Sequence, residues 1–255
     1  MDELQYGNWI RRKVLWLLAS IGSVSALLAA LPLPLFVRLV AGLFGIVSII
    51  SLLYPLYLYR SFSRKGGNLQ DKFYDSILDH LENHGFGKVL DIGTGNGILA
   101  IKAAVRNRAA EVTGVDYWGK EWEYSKATCE ENARLAGVQE IVCFRKGDAA
   151  SLNFGDGAFD AVVSNLTFHE VKMVKNKTDV VREALRVLKP GGSFAFIDYF
   201  YDEGYYGETS RFQLLLWSLK LAEVKLEPLG DVVDFPKLLH HPRALGKVGI
   251  VYGRK

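Results

Sequence analysis

The chain has 255 residues, 49% of them hydrophobic, with 31 Lys and Arg against 28 Asp and Glu and a formal net charge of +3. That length accommodates one domain of ordinary size plus an appendage, and so small a charge, with no long basic run, argues against a nucleic-acid partner. Two cysteines, Cys129 and Cys143, lack metal-ligand spacing and read as buried apolar filler in a reducing compartment, so no metal site is expected.

The first 65 residues differ from the rest. Val14 to Leu31 and Leu39 to Tyr59 contain no charged residue. The second stretch, as a helix, reaches roughly 30 Å, the thickness of a bilayer's hydrocarbon core. Pro32-Leu33-Pro34 reverses the chain between them. Small residues at Gly22, Ser23, Ser25 and Ala26 on the first span can face Gly42, Gly45 and Ser48 on the second and permit close approach of the two helices. Arg11, Arg12 and Lys13 precede the first span and Arg60, Arg64 and Lys65 follow the second, while the turn holds only Arg38. The positive-inside bias then places both ends in the cytoplasm. A cleaved signal peptide and a buried soluble hairpin are the competing readings; a second uncharged span directly behind the first disfavours both. The expected organisation is a membrane-anchoring helical hairpin over residues 1–65, with the lipid bilayer as partner, and a cytoplasmic catalytic domain over residues 66–255. Gly66-Gly67-Asn68 is expected to be a flexible joint.

Lys72 to His84 carries Phe73, Ile77, Leu78 and Leu81 on one helical face and ends at Gly85. Next comes Val89-Leu90-Asp91-Ile92-Gly93-Thr94-Gly95-Asn96-Gly97-Ile98-Leu99, which reads as a buried strand, a glycine-rich turn and a helix starting near Asn96. Such a unit binds nucleotide-like cofactors in doubly wound sheets, because glycines let a ligand approach the main chain and the helix start offers free N–H groups. No Lys follows the glycines, which excludes a phosphate-cradling P-loop. The spacing Gly-x-Gly-x-Gly puts Ile98 where the dinucleotide fingerprint needs its third glycine. Asp91 would repel a pyrophosphate and instead suits a ligand with a cationic amino group.

Asp116 ends the strand Glu111-Val112-Thr113-Gly114-Val115-Asp116, 25 residues after Asp91, where a carboxylate can accept two hydrogen bonds from a ribose diol. A helix N-cap is the other reading of Asp116. Tyr117 or Trp118 can cover an adenine face or simply pack in the core. A helix from Glu121 to Ala136 closes at Gly137, and a strand from Ile141 runs into Gly147-Asp148-Ala149. The fourth strand, Phe159 to Asn165, opens into Leu166-Thr167-Phe168-His169-Glu170. A helix bearing Val180, Val181, Ala184 and Leu185 then stops at Lys189-Pro190-Gly191-Gly192, and the fifth strand is Ser193 to Asp198. Leu226 to Pro228 and Lys247 to Gly253 can supply two closing strands.

Asp-x-Gly-x-Gly-x-Gly at Asp91 to Gly97 resembles the first motif of the class I S-adenosylmethionine-dependent methyltransferases. Leu188-Lys189-Pro190-Gly191-Gly192 resembles the signature before that family's fifth strand. The resemblance covers Lys72 to Asp198 well and the rest loosely. It implies an α/β, doubly wound Rossmann-like sheet with S-adenosyl-L-methionine as cofactor. It implies further that Asp91, Gly93, Thr94, Gly95, Asn96 and Gly97 cradle the cofactor and that Asp116 binds the ribose. Asp148 would bond the adenine amino group and the Ala149 N–H the ring, with Tyr117, Trp118 and Asn165 lining the site. Methyl transfer to a small, hydrophobic or membrane-associated acceptor follows as the expected activity; a membrane-anchored sensor or scaffold binding the same cofactor without catalysis is the alternative.

Acceptors in such sheets bind beyond the carboxyl ends of strands four and five. His169 there is the expected general base, with Asn165 or Glu170 orienting it or the acceptor. A loop histidine capping backbone groups is the plainer reading of His169. Tyr199, Phe200, Tyr201, Tyr205 and Tyr206 form an aromatic run expected to line an apolar pocket, form a lid or touch the membrane. His240-His241 has no acidic or Cys partner at ligand spacing and reads as structural or acceptor-side.

Overall fold

A computed structural model describes residues 4–81, 87–119 and 124–255. The chain divides into two compact units, Asn8–Asp71 and the remainder, which combines the residues up to Gly7 with Lys72–Lys255. Beside the sequence boundary at 65/66, this division returns the N-terminal residues to the second unit. The expected helix end at Gly85 and helix start at Glu121 lie outside the described residues.

The first unit is a pair of apolar helices, α1 (Arg12–Ala30) and α2 (Leu35–Phe62). Both are long and apolar enough to cross a membrane by length and composition. Their large side chains point outward, Trp16 at 72% exposure and Phe36 at 76%, while Gly22, Ser25, Gly45 and Ser48 are buried between them. The Ser48 hydroxyl donates to the Leu18 carbonyl at 2.7 Å. A Cβ on Gly45 would lie 3.5 Å from Ser25 Cβ, so small residues set the closeness of this packing. The glycine pair after α2 is folded into a hydrogen-bonded turn. Gly66 N–H donates to Ser63 O, Gly67 N–H to Arg60 O and Asn68 N–H to Ser63 O, which close a tight helix-ending turn. Any Cβ at Gly66 would sit 1.9 Å from the Arg60 carbonyl oxygen.

The second unit is built on seven strands: β1 (Lys88–Ile92), β2 (Glu111–Asp116), β3 (Val142–Lys146), β4 (Phe159–Asn165), β5 (Leu188–Asp198), β6 (Glu223–Pro228) and β7 (Gly249–Arg254). Their order is β3-β2-β1-β4-β5-β7-β6, with β1 to β5 parallel and β7 antiparallel to both neighbours. The order reverses between β1 and β4, which opens a crevice beyond their carboxyl ends. Val89, Leu90, Ile92, Ala161, Val162 and Val163 are wholly buried, as a sheet covered on both faces requires. The covering helices are α3 (Leu69–Asp79), α4 (Ile98–Arg106), α5 (Lys126–Leu135), α6 (Thr178–Arg186) and α8 (Thr209–Ser218), with short turns α7 (Glu203–Tyr206) and α9 (Leu229–Val232).

Lys189-Pro190-Gly191-Gly192 does not precede β5 but lies inside it. The register steps from Phe159↔Leu188 to Ala161↔Ser193, so these residues bulge out of the ladder, and Gly191 takes φ +80°. Lys189 Nζ meets Asp160 Oδ1 at 2.5 Å, and Asp160 Oδ2 accepts the Lys88 N–H at 2.7 Å. The bond from Lys189 holds the Asp160 carboxyl below its usual range. Asp160 and the Lys-Pro-Gly-Gly bulge therefore lock the amino ends of β1, β4 and β5 together, remote from the crevice.

Candidate active site

The turn after β1 is shaped by what packs on it. Gly93 has φ +75°, and a Cβ there would fall 2.0 Å from Thr167 Oγ1, so only glycine lets the β4 loop close over β1. Gly95, at φ +57°, donates its N–H to Asp116 Oδ2 at 2.8 Å, and its carbonyl accepts the Trp118 indole N–H at 2.9 Å and the Cys129 thiol at 3.1 Å. Cys129 is buried as expected, whereas Cys143 lies exposed on β3, because its side chain takes the outward position of the strand.

Asp91 is 1% exposed. Its Oδ2 accepts the Thr94 hydroxyl at 2.6 Å and the Ala100 N–H at 3.1 Å, tying strand, turn and the first turn of α4 together. Burial raises its pKa to about 7 against the lowering of those two bonds, with the Asp116 charge adding to the rise. A cation beside it would restore the carboxylate. Asp116 accepts one backbone N–H on each oxygen, from Gly95 and from Trp118 at 2.7 Å. A carboxylate offers about four lone-pair positions, so two are left for a ligand. Desolvation raises its pKa as well.

Trp118, at φ +44°, is half-buried and fixed to the glycine turn through its indole. Tyr117 is 65% exposed, with Lys146 Nζ 5.2 Å from its ring centre. Asp148 accepts the Ala150 N–H at 2.9 Å, and Gly147 N–H donates to the Asp116 carbonyl at 3.0 Å, which sets the β3 loop beside the end of β2. Ala149 packs against the core. Two buried amide oxygens, Asn96 Oδ1 and Asn165 Oδ1, have no hydrogen-bond partner among the described residues. Buried carboxylates, unsatisfied acceptors and a glycine turn together suit a ligand rich in donors and positive charge, not a pyrophosphate.

On the other side of the crevice the geometry adds a residue that sequence reasoning missed. His169 Nδ1 lies 2.7 Å from Asp198 Oδ1, and the His169 N–H donates to Asp198 Oδ2 at 3.2 Å. Asp198 is wholly buried and also accepts the Tyr199 N–H at 2.6 Å. A carboxylate only accepts, so Nδ1 carries the proton and Nε2 is the basic nitrogen. Glu170 Oε1 stands 4.0 Å from Nε2. Burial pulls the His169 pKa down, but the charge and hydrogen bond of Asp198, with Glu170, outweigh it and the net shift is upward. Leu166, at φ +51°, bends the chain out of β4 so that Thr167 lands on Gly93 and His169 on Asp198.

The aromatic run divides. Tyr199 and Tyr205 pack on the His169 ring, at 4.8 and 5.4 Å between centroids, whereas Phe200 and Tyr206 turn into the core against Phe212. Tyr201 packs on Gly249. Asp198 ends β5 as Asp116 ends β2; an acid closing a parallel strand was the available signal. His240 Nε2 is 3.3 Å from the Phe235 carbonyl oxygen and His241 Nδ1 accepts the Arg243 N–H, backbone contacts of a structural kind. Among the described residues no group of three or more His, Cys, Asp or Glu could hold a metal ion.

Residues 90–196 match the family model described as a methyltransferase domain. The arsenite methyltransferase of Aquipseudomonas alcaligenes is 35% identical over 119 residues, covering 45% of this chain and 33% of that protein. The 27-O-demethylrifamycin SV methyltransferase of Amycolatopsis mediterranei is 36% identical over 112 residues, 44% of this chain and 38% of that one. The chain thus spans under half the length of both relatives. In fold, the chain is like the geranyl diphosphate C-methyltransferase of Streptomyces coelicolor A3(2), with TM-score 0.57 at 15% identity, covering 82% of this chain and 83% of that structure.

Proposed function

We propose that this chain, which carries a class I S-adenosylmethionine-dependent methyltransferase domain, moves a methyl group onto a small, apolar, membrane-resident acceptor. Bound S-adenosylmethionine supplies an electrophilic sulfonium methyl. Asp91, Gly93, Thr94, Gly95, Asn96 and Gly97 form its cradle, with Asp91 answering the amino group. Asp116 takes the ribose diol on its two spare lone-pair positions. Asp148 and the Ala149 N–H take the adenine edge, and Trp118, better seated than the exposed Tyr117, covers its face.

The observation that carries the catalytic half is the His169–Asp198 pair, 2.7 Å apart at the carboxyl ends of β4 and β5. Asp198 holds the imidazole with Nε2 basic, so His169 removes the acceptor's proton as the methyl arrives. Asn165, with its buried oxygen unpaired, orients the acceptor. Tyr199 and Tyr205 wall the imidazole on an apolar side. The helical unit supports a membrane location: apart from Phe62 at the end of α2, the buried residues of α1 and α2 are small, and Trp16, Leu17, Phe36 and Leu43 point outward. Read as a bilayer anchor with cytoplasmic ends, it holds the domain at the surface where its acceptor is concentrated.

Incubating membranes carrying the full chain with deuteromethyl cofactor tests this reading. Mass spectrometry should find deuteromethyl product from the wild type and a loss of about 100-fold or more from His169→Gln. Equal incorporation by both would remove His169 from the chemistry.

A further inference from the structure

Four residues at the start of the chain belong to the cofactor side of the sheet unit. Leu4 and Tyr6 are buried and Gln5 and Gly7 exposed, a short strap that buries every second side chain. Tyr6 packs on Tyr74 of α3, ring centres 6.4 Å apart. The strap meets the glycine turn through its own backbone. Gln5 N–H donates to Asn132 Oδ1 at 2.7 Å, and the Gln5 carbonyl accepts from Asn132 Nδ2 and from Asn96 Nδ2, both at 3.1 Å. Asn132, wholly buried on α5, also donates to the Asn96 carbonyl at 2.9 Å. Gly7, at φ +72°, lies against the Tyr124 ring and Asn96 Nδ2, and a Cβ added at Gly95 would lie 3.5 Å from the same tyrosine.

The consequence falls on Asn96. It is 6% exposed and stands between two glycines of the cofactor turn. The strap takes its amide N–H, which fixes the amide plane and leaves Oδ1 buried and unpaired among the described residues. A buried acceptor without a partner is unfavourable until a donor arrives. Asn132 belongs to neither strap nor turn; it ties the two together. The helical unit then enters the chain between the strap and α3 rather than ahead of the domain.

We infer that the Leu4–Gly7 strap is a working wall of the cofactor site: with Asn132 as positioning residue, it orients Asn96 so that the amide oxygen meets a donor of the bound cofactor. This rests on the cofactor cradle proposed above. Removing residues 1–65 as a detachable anchor would therefore also remove part of the site.

The test uses the full chain in detergent micelles with S-adenosylhomocysteine as probe. When the probe is added, hydrogen exchange at residues 4–7 should slow by more than it does in the distant strands β6 and β7, an excess that general stabilisation of the fold does not give. Gln5 is the centre of a turn closed by the Tyr6 N–H to Leu4 O bond and has negative φ, so proline fits there and deletes only the N–H that Asn132 accepts. Gln5→Pro should weaken probe binding about fivefold and raise the cofactor KM with kcat retained. Gln5→Ala, which keeps both backbone groups, should bind as the wild type does. Exchange at residues 4–7 slowed by the probe no more than in β6 and β7, or Gln5→Pro binding like Gln5→Ala, would overturn the inference. Failure of the wild type itself to bind the probe would instead bring down the cofactor cradle, and the strap with it.

Discussion

Asp198→Asn separates the charge of the dyad from its shape. The carboxylate is wholly buried and accepts three hydrogen bonds, from His169 Nδ1–H at 2.7 Å, His169 N–H at 3.2 Å and Tyr199 N–H at 2.6 Å. An amide fills the same volume but offers one acceptor oxygen, so at least one of those donors comes to face an NH2 group. Hydrogen bonds to a charged partner contribute about 1.5–3 kcal/mol each, so loss of the bond that orients the imidazole should lower kcat by about 10- to 150-fold. The pH profile should move too. Burial pulls His169 down, and the Asp198 charge is first among the influences that lift it above 6.5. Without that charge the pKa falls. Turnover in the wild type rises as His169 loses its proton, at a pH above 6.5, and in the variant this limb shifts to lower pH. Stability follows the same linkage. A histidine pKa raised in the folded state contributes stability that is complete below about 6.5 and is lost as pH climbs through the folded value. The variant lacks that contribution, so its melting temperature should fall further below the wild type's at pH 6 than at pH 8. Turnover within twofold of wild type, with an unmoved acid limb, would refute the dyad.

Three further outcomes are expected. With its pKa near 7, Asp91 is about half protonated at neutral pH, so a cationic amino group drawn to it should release about half a proton on binding. Calorimetry of S-adenosylhomocysteine in two buffers of different ionisation enthalpy reads that release; identical heats, or a dependence that survives in Asp91→Asn, would place the amino group elsewhere. Gly93→Ala forces a side chain into φ +75° and onto Thr167, and should destabilise by on the order of 1–2 kcal/mol from the backbone alone. An unchanged melting temperature would mean that the turn is not held as described. In a Cys143→Ser background, since Cys143 is exposed, Lys65→Cys should react with an impermeant thiol reagent only in opened cells and Leu33→Cys also in intact ones. The reverse pattern would invert the anchor.

The arrangement around the glycine turn was legible because its logic is local. Asp91, the glycines and Asp116 stand at strand ends that hydrophobic runs mark clearly, and each acts within a few residues of its own strand. Asp198 was not legible as a partner of His169, since the two are 29 residues apart and meet only because β4 and β5 are neighbours. The tyrosine run could not be divided in advance: whether Tyr205 faces the imidazole and Tyr206 the core depends on how α7 turns. Gly66-Gly67 reads as a joint by composition, yet three backbone hydrogen bonds close it into a defined turn. Lys-Pro-Gly-Gly reads as a stop, but the ladder resumes beyond it through a bulge. The strap is invisible to periodicity because four residues are too few to set a pattern apart from chance. Its role lies in backbone groups, which every sequence possesses.

The claim that joins the two units in one function is that the methyl acceptor resides in the membrane. Membranes bearing the full chain, incubated with isotopically labelled methyl cofactor and then split into organic and aqueous phases, test it directly. The label should accumulate in the organic phase on a lipid-soluble product, and Asp198→Asn should diminish it. Label confined to a water-soluble product would contradict the membrane acceptor and leave the two apolar helices as a matter of location alone.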